Sequence, residues 1–161
     1  MEVLKFPHPA LFEVCKEVTI FNGELVTLLD GMWETMVTNN GIGLASNQVG
    51  LNYQMFTMLA QDGSKRYVIN PKIVEKSVRI LMFEEGCLSA PGDSVITGDR
   101  PAWTKLQYQN EFGESIIETF FDIQSVCVNH ELEHLQGLAF FQSKNVPKDI
   151  RKGLLKKWGL K

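Results

Sequence analysis

His130-Glu131-Leu132-Glu133-His134 is an H-E-x-x-H motif. Side chains four residues apart lie on one face of a helix, so both imidazoles can reach one metal ion. Glu131, between them, can act as a general base. A hydrolytic metal site usually has three protein ligands and one position open to water. The motif supplies two ligands, so the third must come from another part of the chain.

The third ligand does not follow the usual patterns of this motif. One metalloprotease class has a histidine where this chain has Phe140, and no glutamate follows the motif. His8, Cys127 and Cys87 are the remaining candidates. We favour Cys87, which lies in a Gly-Cys-Leu-Ser turn, because a donor from a second element closes a tetrahedral site more readily than three donors on one helix. Cys127, one helical turn before the motif, is expected to line the site.

Two upstream segments make the pattern more specific: Gly41-Ile42-Gly43-Leu44-Ala45-Ser46-Asn47-Gln48 and Glu85-Gly86-Cys87-Leu88-Ser89. In order and spacing, these segments and the H-E-x-x-H motif resemble the three motifs of peptide deformylases, over about residues 6–146. The resemblance implies a metal-dependent hydrolase that removes the N-formyl group from the N-terminal formylmethionine of newly made polypeptides and releases formate. Formyl-methionyl nascent polypeptides would be its binding partners.

The resemblance also implies the residues that carry the chemistry. Cys87, His130 and His134 would hold one divalent metal ion. This soft, mixed ligand set accepts Fe(II), Zn, Ni or Co, and the resemblance implies Fe(II) as the native ion. Water activated by the metal would be the nucleophile. Glu131 would accept its proton and pass it to the leaving amine.

A second group of residues would bind the substrate. The Gln48 side chain and the Leu88 N–H would form an oxyanion hole for the formyl oxygen. The resemblance implies a methionine pocket walled by Ile42, Phe83, Ile123, Val126 and Cys127. Gly43 and Gly86 would offer backbone groups to the peptide, and Glu85 would contact the main chain of the substrate.

Three departures from the family pattern stand out. Glu133 replaces the usual aspartate of the motif, and the resemblance pairs it with Arg100, which would help to orient the ligand helix. Ser46-Asn47 replaces a pair of smaller residues before the glutamine. The segment 91–94 lacks an arginine that many bacterial members place near the entry of the peptide.

Two other functions are compatible with the H-E-x-x-H motif alone. A zinc endopeptidase would use the same base, but the missing third histidine and downstream glutamate argue against it. A non-catalytic module could use the metal only to stabilise its fold. Glu131 argues against that interpretation, because a structural site needs no carboxylate between its ligands.

The helical patterns predict where the metal site sits in the fold. Leu, Met and Trp residues at helical spacing predict an N-terminal amphipathic helix over 24–39, with Asn22 as its N-cap. A metal-binding helix would begin with Asp122 as its cap and end at Gly137. A short basic helix is predicted over 147–158.

The stretch between the first two helices is strand-like. Strands are predicted at 55–59 and 67–69 around a turn at Asp62-Gly63, along the Val- and Ile-rich run 72–83, and in a hairpin formed by 104–108 and 115–121. The prediction is therefore an α+β fold, with mixed or antiparallel strands packed around a central metal-binding helix.

Composition limits the alternatives. A chain of 161 residues with 44% hydrophobic residues predicts one domain spanning 1–161. The net charge of −3 argues against dedicated nucleic-acid binding. No apolar run approaches about 18 residues, which argues against a membrane span. Three cysteines without a C-x-x-C pattern suit a reducing compartment, and the start of the chain has no secretory pattern, so we expect the cytoplasm.

The last predicted helix is basic on one face and apolar on the other. Its basic residues are Lys148, Arg151, Lys152, Lys156 and Lys157. We expect the apolar stripe to pack on the domain and the basic face to be solvated. A weak contact with the ribosome through the basic face is the alternative.

The methionine pocket gives a direct test. Val126→Trp should block hydrolysis of formyl-methionyl peptides, because the indole would fill the space that the methionine side chain needs. Steady-state kinetics of formate release would measure the loss. Unchanged kinetics would remove Val126 from the pocket.

Overall fold

The computed structural model describes residues 1–142 and 146–160; the predicted domain 1–161 also includes positions outside these ranges. Its helices are α1 (Gly23–Thr38), α2 (Asp122–Leu135) and α3 (Lys148–Lys157). Its strands are β1 (Gly43–Ala45), β2 (Met55–Leu59), β3 (Lys65–Lys76), β4 (Ile80–Gly86), β5 (Ser94–Pro101), β6 (Trp103–Gln109) and β7 (Ser115–Phe121). Short 3₁₀ helices span Pro9–Phe12, Ser46–Val49 and Phe140–Gln142.

The strands form two antiparallel sheets, which confirms the predicted α+β class. The larger sheet has the order β1-β2-β3-β6-β7, and the smaller pairs β4 with β5. Side chains of the larger sheet alternate between its faces. Phe56 and Val68 pack with residues of α2, whereas Met55 and Ile69 pack with α1. The α2 helix contacts strands of both sheets.

Helix α1 confirms the N-terminal prediction within one residue at each end. The Asn22 side chain accepts a hydrogen bond from the Leu25 N–H at 3.0 Å and caps the helix. Leu29 and Met32, one turn apart, are fully buried against the larger sheet. The apolar spacing of the sequence thus identified the face that packs in the core.

Helix α2 confirms its predicted extent but not its cap. Phe121 is the N-cap, and no side chain caps this end. Asp122 is instead the first helical residue, with φ of 47°, and its N–H donates to the Ala102 carbonyl at 2.9 Å. The residue that joins β5 to β6 therefore satisfies this N–H and fixes the entry into the helix. Gly137, with φ of 71°, ends the helix as predicted.

The strand predictions hold except in one region. The turn at Asp62-Gly63 and the hairpin of β6 and β7 are confirmed. The run 72–83 is not one strand, because the chain leaves β3 of the larger sheet and enters β4 of the smaller. The Ser77 N–H donates to the Trp103 carbonyl at this crossing. Val and Ile residues lie on both sides of the short polar stretch 75–77, so the composition did not reveal the change of partner.

Helix α3 packs on the domain through its apolar stripe, as predicted. Leu154, Leu155 and Trp158 are partly buried against a cluster that includes Phe6 and Phe141. The Trp158 ring meets the Phe6 ring at 6.4 Å with an edge-on geometry. Within the described ranges, every helix is too short or too polar for a transmembrane span.

The contact between the larger sheet and α2 can be tested at Leu106. Its side chain is fully buried in the cluster shared with Val128 of that helix. Leu106→Ala should lower the free energy of unfolding by about 2–5 kcal/mol, because it leaves a cavity that the sheet cannot close. Leu59→Ala, at the exposed end of β2, is the matched control and should cost no more than about 1 kcal/mol. Denaturant unfolding measures both; equal losses would contradict the assignment of Leu106 to the core.

Candidate active site

Three side chains that can ligate a metal meet at the surface of α2. One ligand atom each from Cys87, His130 and His134 lie within 4.8 Å of one another. The Cys87 Sγ and the His134 Nε2 are 3.1 Å apart. The two histidines share a face of α2, and Cys87 comes from the turn that follows β4. The tertiary fold therefore brings the predicted third donor to the predicted pair.

A buried ion network fixes the ring of His130. Its Nδ1 lies 3.0 Å from the Glu85 carboxylate, which leaves Nε2 for a metal. Arg100 donates to both oxygens of Glu85, at 2.6 and 2.9 Å. It also donates to both oxygens of Glu133, at 2.7 and 2.9 Å. The predicted pair of Arg100 and Glu133 is therefore present, and Thr97 adds a further hydrogen bond to Glu85.

The charges of this cluster favour an anionic sulfur and an anionic Glu85. Burial opposes ionisation, but His134 and His130 lower the pKa of the Cys87 thiol well below its usual value. Burial opposes ionisation of Glu85 as well, yet the hydrogen bonds from His130 and Arg100 lower its pKa to about 2. A thiolate beside two imidazoles is a suitable donor set for a divalent transition metal.

Glu131 lies beside this cluster in a confined space. Its side chain is buried, and burial raises the pKa of its carboxyl above the usual value. Its Oε2 is buried without a hydrogen-bond partner among the described residues. A Cβ on Gly43 would come within 2.5 Å of the Glu131 Oε1 and 2.6 Å of the Cys127 Sγ. A larger residue at this point of β1 would therefore displace the side chains of Glu131 and Cys127.

The Gln48 amide faces the Cys87 turn. Its Nε2 lies 3.5 Å from the Cys87 Sγ and donates to the Ser89 hydroxyl at 3.1 Å. Its Oε1 accepts from the Ala45 N–H at 2.9 Å, so the orientation of the amide is defined. The Ser89 N–H in turn donates to the Cys87 sulfur at 3.4 Å. Ser89 was not identified from the sequence, although it lies within the recognised motif.

A cavity of about 590 Å³ opens next to the candidate ligands. Its lining includes Cys87, His130 and Glu131, together with Gln48 and Leu88. All the residues assigned to substrate binding also line it: Ile42, Gly43, Phe83, Glu85, Gly86, Ile123, Val126 and Cys127. We call this space the catalytic cavity. The Glu85 carboxylate is engaged by the ion network, so its main chain is the part left to contact a peptide.

Cys127 belongs to the wall of the cavity. Its Sγ donates to the Ile42 carbonyl at 3.6 Å, and it is not a member of the three-residue cluster. Burial raises the pKa of the Cys127 thiol well above its usual value, which favours the neutral form. A neutral thiol is a poor metal ligand, in agreement with the prediction for this residue.

Distant segments complete the surroundings of the site. The Phe6 ring stacks on the His134 ring at 6.4 Å, and the Phe140 ring packs 5.3 Å from that of His130. At the rim of the cavity, the Asp93 carboxylate accepts hydrogen bonds from Trp158 Nε1 at 2.8 Å and from Lys157 Nζ at 2.7 Å. None of these contacts was predicted, because they join parts of the chain that share no local pattern.

Comparisons with known proteins agree with this geometry. The family model described as polypeptide deformylase matches residues 1–149. A peptide deformylase of Phenylobacterium zucineum is 42% identical over 145 residues, which cover 86% of this chain and 84% of that protein. The chloroplastic peptide deformylase 1B of rice (Oryza sativa subsp. japonica) is 34% identical, covering 96% of this chain and 59% of that protein.

Solved structures give the same result. Peptide deformylase 1B of Arabidopsis thaliana, in complex with an inhibitor, superposes with a TM-score of 0.88 at 32% identity, covering 98% of this chain and 92% of that one. The peptide deformylase of Ehrlichia chaffeensis gives a TM-score of 0.90 at 30% identity, covering 99% and 94%.

Removing the Arg100 cation from the ion network should lower both the stability of the fold and the affinity for metal. Arg100→Met should destabilise the fold by about 3–5 kcal/mol, because it leaves the buried Glu85 carboxylate without its cation. Metal affinity should fall about 10- to 100-fold as His130 loses its fixed orientation. Arg79→Met, at an exposed position, is the control. Denaturant unfolding and competition with a chelator measure the two effects; unchanged metal affinity would contradict the orienting role.

Proposed function

Because this chain belongs to the polypeptide deformylase family, whose members remove the N-formyl group from newly made polypeptides, we propose that Cys87, His130 and His134 hold its metal ion and that Glu131 moves the proton. The observation that carries this assignment is the meeting of three ligand atoms within 4.8 Å beside a buried carboxylate. The cavity next to them provides room for the end of a peptide.

The residues fit a divalent transition metal. The contact of the His130 Nδ1 with Glu85 leaves Nε2 as the ring atom available to a metal, and the lowered pKa of the Cys87 thiol favours the thiolate. When bound, such a metal supplies Lewis acidity that lowers the pKa of water and polarises the formyl carbonyl. We propose Fe(II) as the native ion, with Zn, Ni or Co as substitutes, since the ligand set is soft and mixed.

Glu131 serves as base and then as acid. Its carboxylate accepts a proton from the attacking water, whose oxygen forms a bond to the formyl carbon. The buried position and raised pKa make the protonated form accessible during the reaction. Glu131 then gives the proton to the leaving amine nitrogen as the carbon–nitrogen bond breaks. The products are formate and a peptide with a free N-terminal methionine.

Gln48 and Leu88 stabilise the charge that develops on the formyl oxygen. The Gln48 Nε2 already points towards the Cys87 turn, and Leu88 follows Cys87 directly. A side-chain N–H and a main-chain N–H on one side of the cavity form an oxyanion hole, which contributes on the order of 3 kcal/mol per donor.

The apolar part of the catalytic cavity receives the methionine side chain. Ile42, Phe83, Ile123, Val126 and Cys127 supply its walls. Gly43, Glu85 and Gly86 line the same space, and the main chains of the two glycines would offer hydrogen bonds to the peptide. Close approach of a peptide at Gly43 is compatible with its missing side chain.

Formate release tests these roles together. Protein loaded anaerobically with Fe(II), or with Ni(II), should release formate from formyl-Met-Ala-Ser. Glu131→Gln should lower kcat by about 100-fold or more while the protein retains its metal, because the proton carrier is lost. Cys87→Ala should lose both metal and activity.

Cys15→Ala is the matched control for the cysteine variant, since Cys15 is a buried free thiol that does not belong to the cluster of three ligands. Retained activity in Glu131→Gln would contradict its role as base. Retained metal in Cys87→Ala would exclude it as the third ligand. Membership of the polypeptide deformylase family does not favour the two rival functions, a zinc endopeptidase and a structural-metal module.

We further propose a weak contact between the ribosome and the exposed basic face of α3. Lys152 and Lys156 are exposed, whereas Lys157 pairs with Asp93, so the first two suit the test better. Lys152→Glu combined with Lys156→Glu should reduce co-sedimentation with ribosomes at moderate salt, because phosphate contacts depend on cations. The exposed strand residues Lys72 and Lys76 provide a charge-matched control. Equal sedimentation of all variants would exclude the contact.

We also propose that the protein is cytoplasmic and that it has one domain. The three free cysteines suit a reducing cytoplasm, where formyl-methionyl chains are made. The chloroplastic name of the rice relative makes an organelle the alternative. A single catalytic domain over 1–161 is supported by α2, which contacts both sheets.

A further inference from the structure

Three consecutive residues near the start of the chain contact the segments that form the proposed oxyanion hole. We call residues 4–6 the N-terminal strap. Its hydrogen bonds join Leu4 N to Gln48 O at 2.8 Å, Lys5 Nζ to Leu88 O at 2.6 Å, and Phe6 N to Ser89 O at 3.0 Å. The strap therefore connects two segments that lie about forty positions apart in the sequence.

The strap is itself held firmly. Phe6 is buried, and its ring packs on the rings of Phe141 and Trp158 as well as on His134. Val3, on the other side, is buried in the cluster around α1. The backbone on both sides of Lys5 is thus fixed, so the contact with the Leu88 carbonyl costs side-chain entropy of Lys5 but little additional backbone entropy.

We propose that Lys5 is a positioning residue for the oxyanion hole. Its ammonium group holds the carbonyl of the Leu88–Ser89 peptide unit, and the Leu88 Cα joins that unit to the preceding one, which carries the Leu88 N–H. Leu88 lies in a turn after β4, outside the ladder of the smaller sheet, so its orientation depends on such contacts. Oxyanion donors act well only when they are oriented before the reaction.

Lys5 also brings positive charge to the wall of the catalytic cavity. A positive potential there stabilises the negative charge that develops on the formyl oxygen more than it stabilises the neutral amide of the substrate. Lys5 is exposed, so solvent screens this effect and keeps it modest. Both effects should change kcat more than KM. The inference rests on the proposed roles of Gln48 and Leu88.

Lys5→Met tests the proposal, because it keeps the length of the side chain and removes the ammonium group. We expect kcat for formyl-Met-Ala-Ser to fall about three- to tenfold, with KM within about twofold of wild type. Lys5→Arg should retain kcat, since it restores a cationic donor. Lys72→Met, which removes an exposed lysine of β3, is the control. An unchanged kcat, or an effect confined to KM, overturns the proposal.

Two further measurements separate positioning from a general effect on the fold. The loss caused by Lys5→Met should be smaller in a Gln48→Ala background, because both changes impair the same oxyanion hole. Amide hydrogen exchange at Leu88 and Ser89 should be faster in Lys5→Met, while α2 keeps its protection. Additive losses of activity, or unchanged exchange at both amides, overturn the proposal.

The same experiments show which assumption fails. Suppose that the wild type is active, that Gln48→Ala is impaired and that Lys5→Met is normal. This result would support the oxyanion hole and reject the role of Lys5. A Gln48→Ala variant as active as wild type would reject the oxyanion hole and the role of Lys5 together. An inactive metal-loaded wild type would instead reject the proposed assignment of the catalytic residues.

Discussion

The buried guanidinium group of Arg100 connects the smaller sheet to the helix that carries both histidines. It balances the carboxylates of Glu85 and Glu133, which come from β4 and α2. A buried charge is stable only when partners compensate it, so these groups must assemble together or not at all. Glu85 also contacts the His130 Nδ1. The ion pairs that stabilise the contact between the sheet and the helix therefore orient a candidate metal ligand as well. Fold and site therefore share one electrostatic requirement.

A steric requirement acts on the opposite side of the site. β1 approaches α2 so closely at Gly43 that a side chain there would force Glu131 and Cys127 to move. The close approach buries the Glu131 carboxylate and places the edge of β1 on the cavity. Burial in turn raises the pKa of Glu131, which suits a group that accepts and returns a proton. One glycine thus links the packing of the larger sheet to the acid–base properties of the site.

The two ends of the described chain meet behind the ligands. Phe6 lies between His134 and Trp158, and Asp93 of the cavity rim accepts hydrogen bonds from the C-terminal segment. Leu4 N–H, from the same N-terminal strap, bonds to the main chain of Gln48. Residues outside the candidate site therefore supply much of the support for the residues within it.

The sequence by itself determined the chemical groups of this site and the type of its main elements. The spacing of the H-E-x-x-H motif follows from the helical repeat, and the helix α1 and the β6–β7 hairpin follow from local periodicity and turn residues. Such patterns are local, so they could be read without the fold. Only the tertiary structure decided that 72–83 crosses between two sheets and that Phe121 rather than Asp122 is the N-cap of α2. It also decided that the Glu85 carboxylate is bound by Arg100 and His130 rather than free for a peptide. These features depend on which strands become neighbours and which charges are buried together, and neither is encoded in the spacing of residues along one element.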